Sequence, residues 1–226
     1  MKKIISIFVI IMFISACKKS STPNPVPLTP IIDFDGNVYD TVKIGSQLWL
    51  KQNLNTSHYR NGDPIPKVTD QAAWYALTTG AYCYYDNDSA TYASIYGKLY
   101  NWYAVNDARG IGPKGFHVPS DAEWTTLTTG LGGNAVAGNA MKETGTTRWL
   151  TPNTGATNSS GFTGLPGGFR YFNGGFSSIG SKGYWWITTE FNAPTAWDYY
   201  LNNNDGLSNK DYNFKQHGFS VRCLKD

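Results

Sequence analysis

Short runs of aromatic residues, separated by turns rich in glycine and asparagine, restrict the folds that are open to this chain. Its 226 residues include 8 tryptophans, 15 tyrosines, 11 phenylalanines and 24 glycines, whereas only 15% of the residues are charged. Such runs are too short for long helices, and the turns reverse the chain every few residues. The pattern therefore predicts a β-rich or α+β fold with short helices and long ordered loops.

Hydrophobic periodicity indicates where the elements of this fold lie. Alternation predicts a hairpin formed by strands at 37–44 and 47–50. Helical spacing predicts short helices near 70–77, 99–105 and 136–143. In the second half of the chain, five runs separated by turns predict an antiparallel sheet: 169–172, 184–189, 197–201, 207–214 and 219–224.

The N-terminal segment predicts export and lipidation. Two lysines precede an almost wholly apolar stretch at 4–14, which is too short to span a bilayer core of about 30 Å but suits a signal peptide. The sequence ISAC that ends at Cys17 resembles a bacterial lipobox, and the resemblance implies cleavage after Ala16 and acylation of Cys17. Residues 1–16 are therefore predicted to be a lipoprotein signal peptide. A plain signal peptide with an incidental cysteine is the alternative.

Residues 17–30 carry the predicted lipid and a proline-rich tether. The four prolines of KKSSTPNPVPLTP favour extended, polyproline-like conformations over a packed core, although an ordered edge segment of the domain is the alternative. Acyl chains such as palmitate would make the membrane a partner and hold the domain at the bacterial cell envelope, with the outer membrane as the expected location. The sequence leaves open whether the domain faces the periplasm or the medium.

The charge balance argues against nucleic acid as a partner. Removal of residues 1–16 takes away two lysines and no acids, which leaves 17 basic and 16 acidic residues. A surface for nucleic acid needs a concentrated excess of basic groups. Because the mature chain is close to neutral, we expect no nucleic-acid partner.

The stretch GIGPKGFHVPSDAEW at 110–124 contains the G-x-G-x-x-G spacing of dinucleotide-binding loops. Pro113 interrupts that motif and no βαβ pattern surrounds it, so the spacing does not indicate a nucleotide site. Ser120 and Glu123 instead form the S-x-x-E pattern of a capping box, which predicts that a helix begins here. His117 is interpreted as a packed strand residue rather than a catalytic base.

No spacing in the sequence is typical of a metal or nucleophile site. The histidines His58, His117 and His217 are far apart, and the sequence has neither a zinc motif nor a nucleophile elbow. The oxygen-rich segments 85–88 and 202–205 are interpreted as turns rather than calcium ligands. We therefore expect no enzymatic activity and no cofactor, although a dispersed catalytic triad is left open.

Two aromatic segments are candidate binding surfaces. Alternation in a strand sends Trp185 and Trp186 to opposite faces, so one is expected in the core and the other at the surface. Trp197 and Tyr199 lie near asparagine and aspartate residues in the sequence. An exposed ring beside such polar groups would suit a glycan, because apolar sugar faces stack on aromatic rings while hydroxyls need fixed polar partners. Core packing of these rings is the alternative.

Several motifs together resemble the Fibrobacter succinogenes major paralogous domain family. They run in consistent order from about residue 32 to the C-terminus, which marks residues 31–226 as one domain; the most specific are LYNWYAV, GFHVPSDAEW, LPGGFR and GFSVRC. The family is distantly similar to formylglycine-generating enzymes. The resemblance implies an α+β, C-type-lectin-like fold, in which short helices pack on a twisted antiparallel sheet, long loops are ordered and the terminal strands are adjacent.

The cysteines depart from the pattern of that family. In an oxidising compartment, Cys83 and Cys223 most simply form a disulfide, but the sequence does not decide whether they come close. Members of the family often carry a cysteine at the position of Gly112, so Cys83 is the partner left for Cys223 if it is paired. The contexts of both cysteines differ from the copper-binding pair of formylglycine-generating enzymes, so that activity is not carried over.

The sequence as a whole favours a lipid-anchored, non-catalytic recognition module of the cell envelope that binds a glycan or a surface protein. A structural lipoprotein that assembles with partners through its aromatic surface is the first alternative. An envelope enzyme of the formylglycine-generating-enzyme-like group is the second, and no residue spacing indicates its active site.

Overall fold

Two sheets organise residues 30–226, which are the part of the chain that the computed structural model describes. The predicted signal peptide at 1–16, the predicted lipidation site Cys17 and the rest of the tether as far as residue 29 lie outside the described residues. Within residues 30–226, no helix combines the length and the apolar character that a membrane crossing needs.

Most strands are short, and the two longest lie in the C-terminal third. The strands are β1 (Ile31–Ile32), β2 (Val38–Tyr39), β3 (Thr41–Ile44), β4 (Gln47–Leu50), β5 (Tyr82–Cys83), β6 (Leu99–Tyr100), β7 (Phe116–His117), β8 (Gly167–Arg170), β9 (Phe176–Ile179), β10 (Lys182–Asn192), β11 (Thr195–Asn202), β12 (Asn209–Phe214) and β13 (Leu224–Lys225). The helices are α1 (Gln71–Tyr75), α2 (Ser89–Tyr96), α3 (Trp102–Val105), α4 (Asp121–Gly130) and α5 (Asn134–Met141), and a 3₁₀ turn spans Tyr85–Asn87.

The larger sheet has five strands in the order β12-β11-β10-β8-β9, and the smaller has four in the order β3-β4-β13-β7. Strands β1 and β2 form a separate pair, as do β5 and β6. Neighbouring strands run antiparallel except β8 and β10, which are parallel. The architecture is therefore α+β, and the antiparallel sheet expected in the second half of the chain is confirmed with one parallel pair.

The first hairpin and the C-terminus meet in the smaller sheet. Strands β3 and β4 form the predicted hairpin, and Gly45 takes a φ of 60° in its turn, a conformation that favours glycine. Leu224 of β13 pairs with Trp49 of β4. The β3-β4 hairpin near the N-terminus is thus adjacent to the C-terminal strand, whereas the first strand of the domain, β1, pairs with β2 outside this sheet.

Several boundaries differ from the sequence prediction. The helix expected at 99–105 is only Trp102–Val105, because Tyr100 exchanges two backbone hydrogen bonds with Phe219 and is therefore extended. The side chain of Asn101 then caps α3 by accepting from the Ala104 amide at 3.1 Å. The run at 219–224 is mostly irregular, since only Leu224–Lys225 forms a strand.

Helix α2 and strand β9 were not predicted. Asp86 and Asn87 of the oxygen-rich segment adopt positive φ angles in the 3₁₀ turn, as expected for a turn. The next residue, Asp88, begins α2 by accepting hydrogen bonds from the Ala90 and Thr91 amides. The same cluster of aspartate and asparagine residues therefore both ends a turn and caps a helix.

Aromatic residues cover both faces of the larger sheet. The ring of Trp185 lies in one core cluster and packs against Trp124, which in turn stacks on Tyr199 with ring centroids 5.0 Å apart. Trp186, the next residue of β10, lies in the other main cluster against Phe219. Aromatic pairs of this kind contribute about 0.5–1.5 kcal/mol each beyond the burial of their surface.

Long loops are held by cationic side chains that are buried among backbone carbonyl groups. The Arg222 guanidinium donates to the carbonyls of Leu50 and Phe162 and to the Asn53 side-chain oxygen. Arg170 contacts the loop before α1 in the same way. These contacts satisfy carbonyl groups that the short strands and helices leave without partners.

The two cysteines of the domain are free thiols, so the structure does not contain the Cys83–Cys223 disulfide. Both are fully buried, and they belong to different core clusters. Burial raises the pKa of Cys83 to about 12 and also raises the pKa of Cys223, which makes both thiols poor nucleophiles. The physical neighbour of Cys223 is instead Gly112, because a Cβ atom at residue 112 would lie 3.1 Å from the Cys223 Sγ atom.

We expect Gly112→Cys to form a disulfide with Cys223. The Cβ-to-Sγ separation is compatible with disulfide geometry, although the Phe116 carbonyl oxygen, 2.8 Å from the same Cβ position, must move slightly. Closing so long a loop raises the free energy of unfolding by up to about 4 kcal/mol in the chain-entropy model, less any strain. Mass spectrometry without reductant and urea denaturation measure these effects. Gly112→Ser is the matched control, and thiols that stay free at both residue 112 and Cys223 in oxidised Gly112→Cys would contradict the prediction.

Candidate functional site

Three aromatic rings form an exposed group at one end of the β10-β11-β12 part of the larger sheet. Phe191 and Tyr212 are stacked with centroids 4.2 Å apart, and Trp197 meets their edges at 4.8 Å and 5.7 Å. The Lys210 ammonium lies 4.1 Å from the centroid of the Trp197 ring. We call Phe191, Trp197, Lys210 and Tyr212 the edge patch.

The strand register explains why these side chains meet. Trp197 of β11 lies directly opposite Tyr212 of β12, and Lys210 lies two residues before Tyr212 on the same face. The pairing of β10 with β11 shifts between Trp186 and Asn192, and Phe191 lies within this irregular stretch. A bulge of this kind redirects side chains at the edge of a sheet, and here the Phe191 ring joins the group.

The edge patch is open to solvent. Phe191 is 43% exposed and Tyr212 is 48% exposed, whereas Trp197 is half-buried. The burial of large apolar side chains is favourable, so two exposed rings packed on a half-buried third mark a candidate contact surface. The rings provide flat apolar area, and Lys210 adds a polar group beside them.

A polar border joins the edge patch to helix α4. The Lys210 ammonium lies 2.8 Å from Oδ1 of Asp121, the first residue of that helix. The same oxygen accepts a hydrogen bond from the Tyr199 hydroxyl at 2.9 Å. The helix thereby fixes the position of Lys210 beside Trp197.

The structure removes Trp185, Trp186 and Tyr199 from the candidate binding surface. The two tryptophans have no exposed surface and Tyr199 has 1%. Alternation does send Trp185 and Trp186 to opposite faces, but both faces of β10 are covered, so neither ring reaches solvent. Their indole N–H groups are also satisfied, by the Asn53 side-chain oxygen and by the Tyr100 carbonyl respectively.

Trp197 is the predicted aromatic residue that remains available at the surface, and the sequence reasoning missed its two companions. Tyr212 lies in NKDYNF, where an aromatic ring alternates with polar residues as in an exposed edge strand. That pattern was a usable signal. The sequence around Phe191 contains no comparable signal, because the position of Phe191 depends on the irregular pairing of β10 with β11.

A separate cleft of about 470 Å³ lies beside helix α2. Its lining includes Asn37, Asn55, Ile95 and Arg148, and the Asn55 Oδ1 atom is buried there without a hydrogen-bond partner. The aromatic residue of the lining, Tyr39, is buried and donates its hydroxyl to Asp33. The cleft thus offers amide groups but no exposed ring on which a ligand could stack.

His117 lies between two carboxylates at the start of α4. Its Nδ1 atom is 2.7 Å from Asp226 Oδ1, and its Nε2 atom is 2.9 Å from Glu123 Oε1. The capping box is confirmed, because Glu123 Oε2 accepts from the Ser120 amide at 2.8 Å and from its hydroxyl at 2.7 Å. Ser120 therefore donates to a carboxylate rather than to histidine, and no nucleophile is paired with a base in this group.

The three histidines lie in three different environments. Burial lowers the pKa of His217 to about 4, so this side chain is neutral among the aromatic rings of the core. His58 contacts Asp35 at the domain surface. Within residues 30–226, no three side chains of histidine, cysteine, aspartate or glutamate come together in an arrangement that could hold a metal ion.

Both oxygen-rich segments are turns, as predicted. Asp88 caps α2, and Asp205 accepts hydrogen bonds from the Asn202 side chain at 2.8 Å and from the Leu207 amide at 2.9 Å. These carboxylate oxygens stabilise the backbone that they contact, which is the usual role of aspartate in turns.

We expect His117 to make stability depend on pH. Burial lowers the pKa of His117, but its hydrogen bonds with Asp226 and Glu123 outweigh burial and raise the pKa above the ordinary 6.5. The resulting stabilisation is complete below about pH 6.5 and is lost as the pH rises through the higher pKa of the folded state. His117→Gln should therefore lower the free energy of unfolding at acidic pH and change it less at alkaline pH, as urea denaturation would measure.

Asp226→Asn provides the second variant for this test, because it removes one of the two carboxylates while histidine remains. It should reduce the same pH dependence in part. An equal effect of His117→Gln at every pH would contradict the prediction.

Comparison with known proteins gives one match. The family model of the Fibrobacter succinogenes major domain matches residues 42–225 of the chain. A search of curated proteins found no match, and a search of solved structures found none either.

Proposed function

The chain belongs to the Fibrobacter succinogenes major domain family, and we propose that it is a non-catalytic recognition module of the bacterial cell envelope that binds glycan through the edge patch. The observation that carries this proposal is the group of three packed aromatic rings that remains exposed at the end of the larger sheet. The lipid anchor on Cys17 and a location at the outer membrane belong to the same proposal and rest on the sequence.

The chemistry of the edge patch suits a sugar chain. The C–H groups on one face of a sugar ring are apolar and stack on aromatic rings, while the hydroxyl groups at the ring edge need polar partners. Trp197 and Tyr212 supply ring surface, and Lys210 and Asp121 lie at its border as a donor and an acceptor. Tyrosine and tryptophan also lose little conformational freedom on binding, which favours them at contact surfaces.

Binding is favoured over catalysis because the groups that could act as nucleophile or base are otherwise engaged. Both nitrogens of His117 face carboxylates, and His217 is buried among rings. The thiols of Cys83 and Cys223 are buried with raised pKa values. A catalytic group needs access to substrate and a pKa near the working pH. His217 and the two thiols lack both, and His117 has its two ring nitrogens occupied by carboxylates.

The C-type-lectin-like description of the fold is part of this proposal. It is supported by the pairing of β4 with β13, which joins the β3-β4 hairpin to the C-terminal strand, and by the irregular loops that connect the short strands.

Removal of a ring from the edge patch should weaken glycan binding without unfolding the protein. Trp197→Ala or Tyr212→Ala deletes stacking area at a surface position, so we expect affinity to fall at least about tenfold, which corresponds to about 1.4 kcal/mol. Binding to an array of bacterial polysaccharides, followed by calorimetry on any positive glycan, measures the change. Tyr75→Ala is the matched control, because Tyr75 is an exposed aromatic residue on α1 outside the edge patch.

Two outcomes would contradict glycan recognition. One is a folded protein that binds no polysaccharide on the array. The other is concentration-dependent sedimentation that Trp197→Ala abolishes, because the rings would then serve assembly with other copies of the chain.

Cys17→Ser should release the protein from membranes. The serine side chain cannot form the thioether to diacylglycerol, so labelled palmitate should no longer be incorporated and the protein should move to the soluble fraction. Ser15→Thr, which leaves the cysteine in place, is the control. Palmitate labelling that persists in Cys17→Ser would exclude Cys17 as the lipidation site.

A further inference from the structure

Asp198 is a fully buried carboxyl group in the middle of β11. Its Oδ1 atom accepts a hydrogen bond from the Asn213 side chain at 2.7 Å, whereas its Oδ2 atom has no hydrogen-bond partner within the described residues. None of the ion pairs in that part of the chain includes Asp198. A buried carboxylate without a counter-charge is strongly disfavoured, so this group calls for a physical explanation.

A second carboxyl group lies beside it. Asp211 of β12 is directly opposite Asp198 in the antiparallel pair, and side chains at such positions are close neighbours. Asp211 is exposed, so the pair has one buried and one solvated member. Like charges at directly opposed strand positions repel each other, which makes double ionisation unfavourable.

The lysine that follows β12 does not pair with Asp198, because the buried Lys215 ammonium instead contacts Glu190 Oε1 at 2.9 Å and the Ala193 carbonyl at 2.8 Å. Tyr184 and Tyr200 lie next to Asp198 on β10 and β11, and the Lys182 ammonium lies 5.0 Å from the centroid of the Tyr200 ring. Trp186 is the direct neighbour of Asp198 on β10. A proton is therefore the simplest species that can neutralise the buried carboxylate.

We propose that Asp198 keeps a proton in the folded chain, and that its position opposite Asp211 makes a pH-sensitive contact that holds the edge strand β12 against β11. Above its titration range the proton passes to solvent, and two carboxylates then face each other across the strand pair. Strand β12 has a single neighbour in the sheet, so repulsion between the carboxylates loosens it more readily than an inner strand.

Loosening of β12 would also change the geometry of the edge patch. Lys210 and Tyr212 lie on the opposite face of β12 from Asp211, because side chains alternate along a strand. Displacement of Tyr212 separates it from Trp197 and Phe191, so binding weakens. This last step rests on the proposed function, whereas the proton on Asp198 does not.

The titration of Asp198 has a defined direction. Burial raises the pKa of Asp198 to about 8, the hydrogen bond from Asn213 lowers it, and the nearby Asp211 raises it further. The unfolded chain ionises near the ordinary value of 3.8, so this group reduces stability progressively from about pH 4 to about pH 8 and by a constant amount above that range.

An NMR titration of the side-chain carboxyl carbon of Asp198 in the full chain, held in detergent, tests the proton on Asp198 directly. We expect a midpoint near pH 8, and Asp211→Asn should lower it by about one unit because the opposed charge is gone. Asp205→Asn, an acid in the turn before β12, is the matched control and should leave the midpoint unchanged. A midpoint near the ordinary value of 3.8, or no shift in Asp211→Asn, would overturn the proposal.

Thermal unfolding provides a second readout that does not depend on any ligand. Asp198→Asn keeps the size of the side chain and cannot ionise, so its melting temperature should exceed that of the parent chain at alkaline pH and approach it at acidic pH. A melting temperature raised at alkaline pH by calcium in the parent chain, but not in Asp198→Asn, would show that the pair holds a cation instead and would overturn the proposal. Failure of glycan binding alone would contradict the proposed function and leave the proton on Asp198 unaffected.

Discussion

Cationic side chains buried among carbonyl oxygens are the interaction on which the rest of this domain depends. The guanidinium of Arg222 joins the chain after β4, the loop at Phe162 and the C-terminal segment, since its acceptors come from Leu50, Asn53 and Phe162. Lys142 joins the turns at Thr154 and Asn202 in the same way. Burial lowers the pKa of Arg222, and uncharged oxygens offset the lost hydration in place of a carboxylate. Loops anchored at several carbonyl groups can stay ordered without belonging to a helix or sheet.

Ordered loops in turn decide which aromatic residues reach solvent. They bring Trp149 and Phe162 to the face of the larger sheet that Trp124 of α4 also covers, while Tyr100 of β6 and Phe219 cover the other face. A strand between two covered faces has no outward side, so alternation no longer separates buried from exposed residues. Exposed rings are then found where the covering stops, at the end of β10 and along the edge strand β12. The position of the edge patch is therefore set by where the residues that cover the larger sheet end.

Structure that depends on residues close together in the sequence could be predicted, whereas contacts between residues far apart in the sequence could not. The capping box at Ser120 and the hairpin of β3 and β4 depend on residues within a few positions of each other, and both were predicted. The burial of Trp186 depends on Phe219, which lies far along the chain, and alternation alone could not reveal it. The placement of Phe191 likewise needs the register of β10 against β11. Of the candidate site, the sequence reasoning found Trp197 and missed its two aromatic partners.

The strand pair β11–β12 combines an aromatic face with an acidic one, and both faces share the same backbone hydrogen bonds. Trp197 and Tyr212 meet on one side, while Asp198 and Asp211 meet on the other at the adjacent position of the register. A residue of one face cannot move along the strand without moving its neighbour on the other face. Because β12 is bonded to a single strand, the free energy that holds Tyr212 in the edge patch is limited to that one interface. The proposed protonation of Asp198 and the geometry of the proposed binding surface are in this way two properties of one contact.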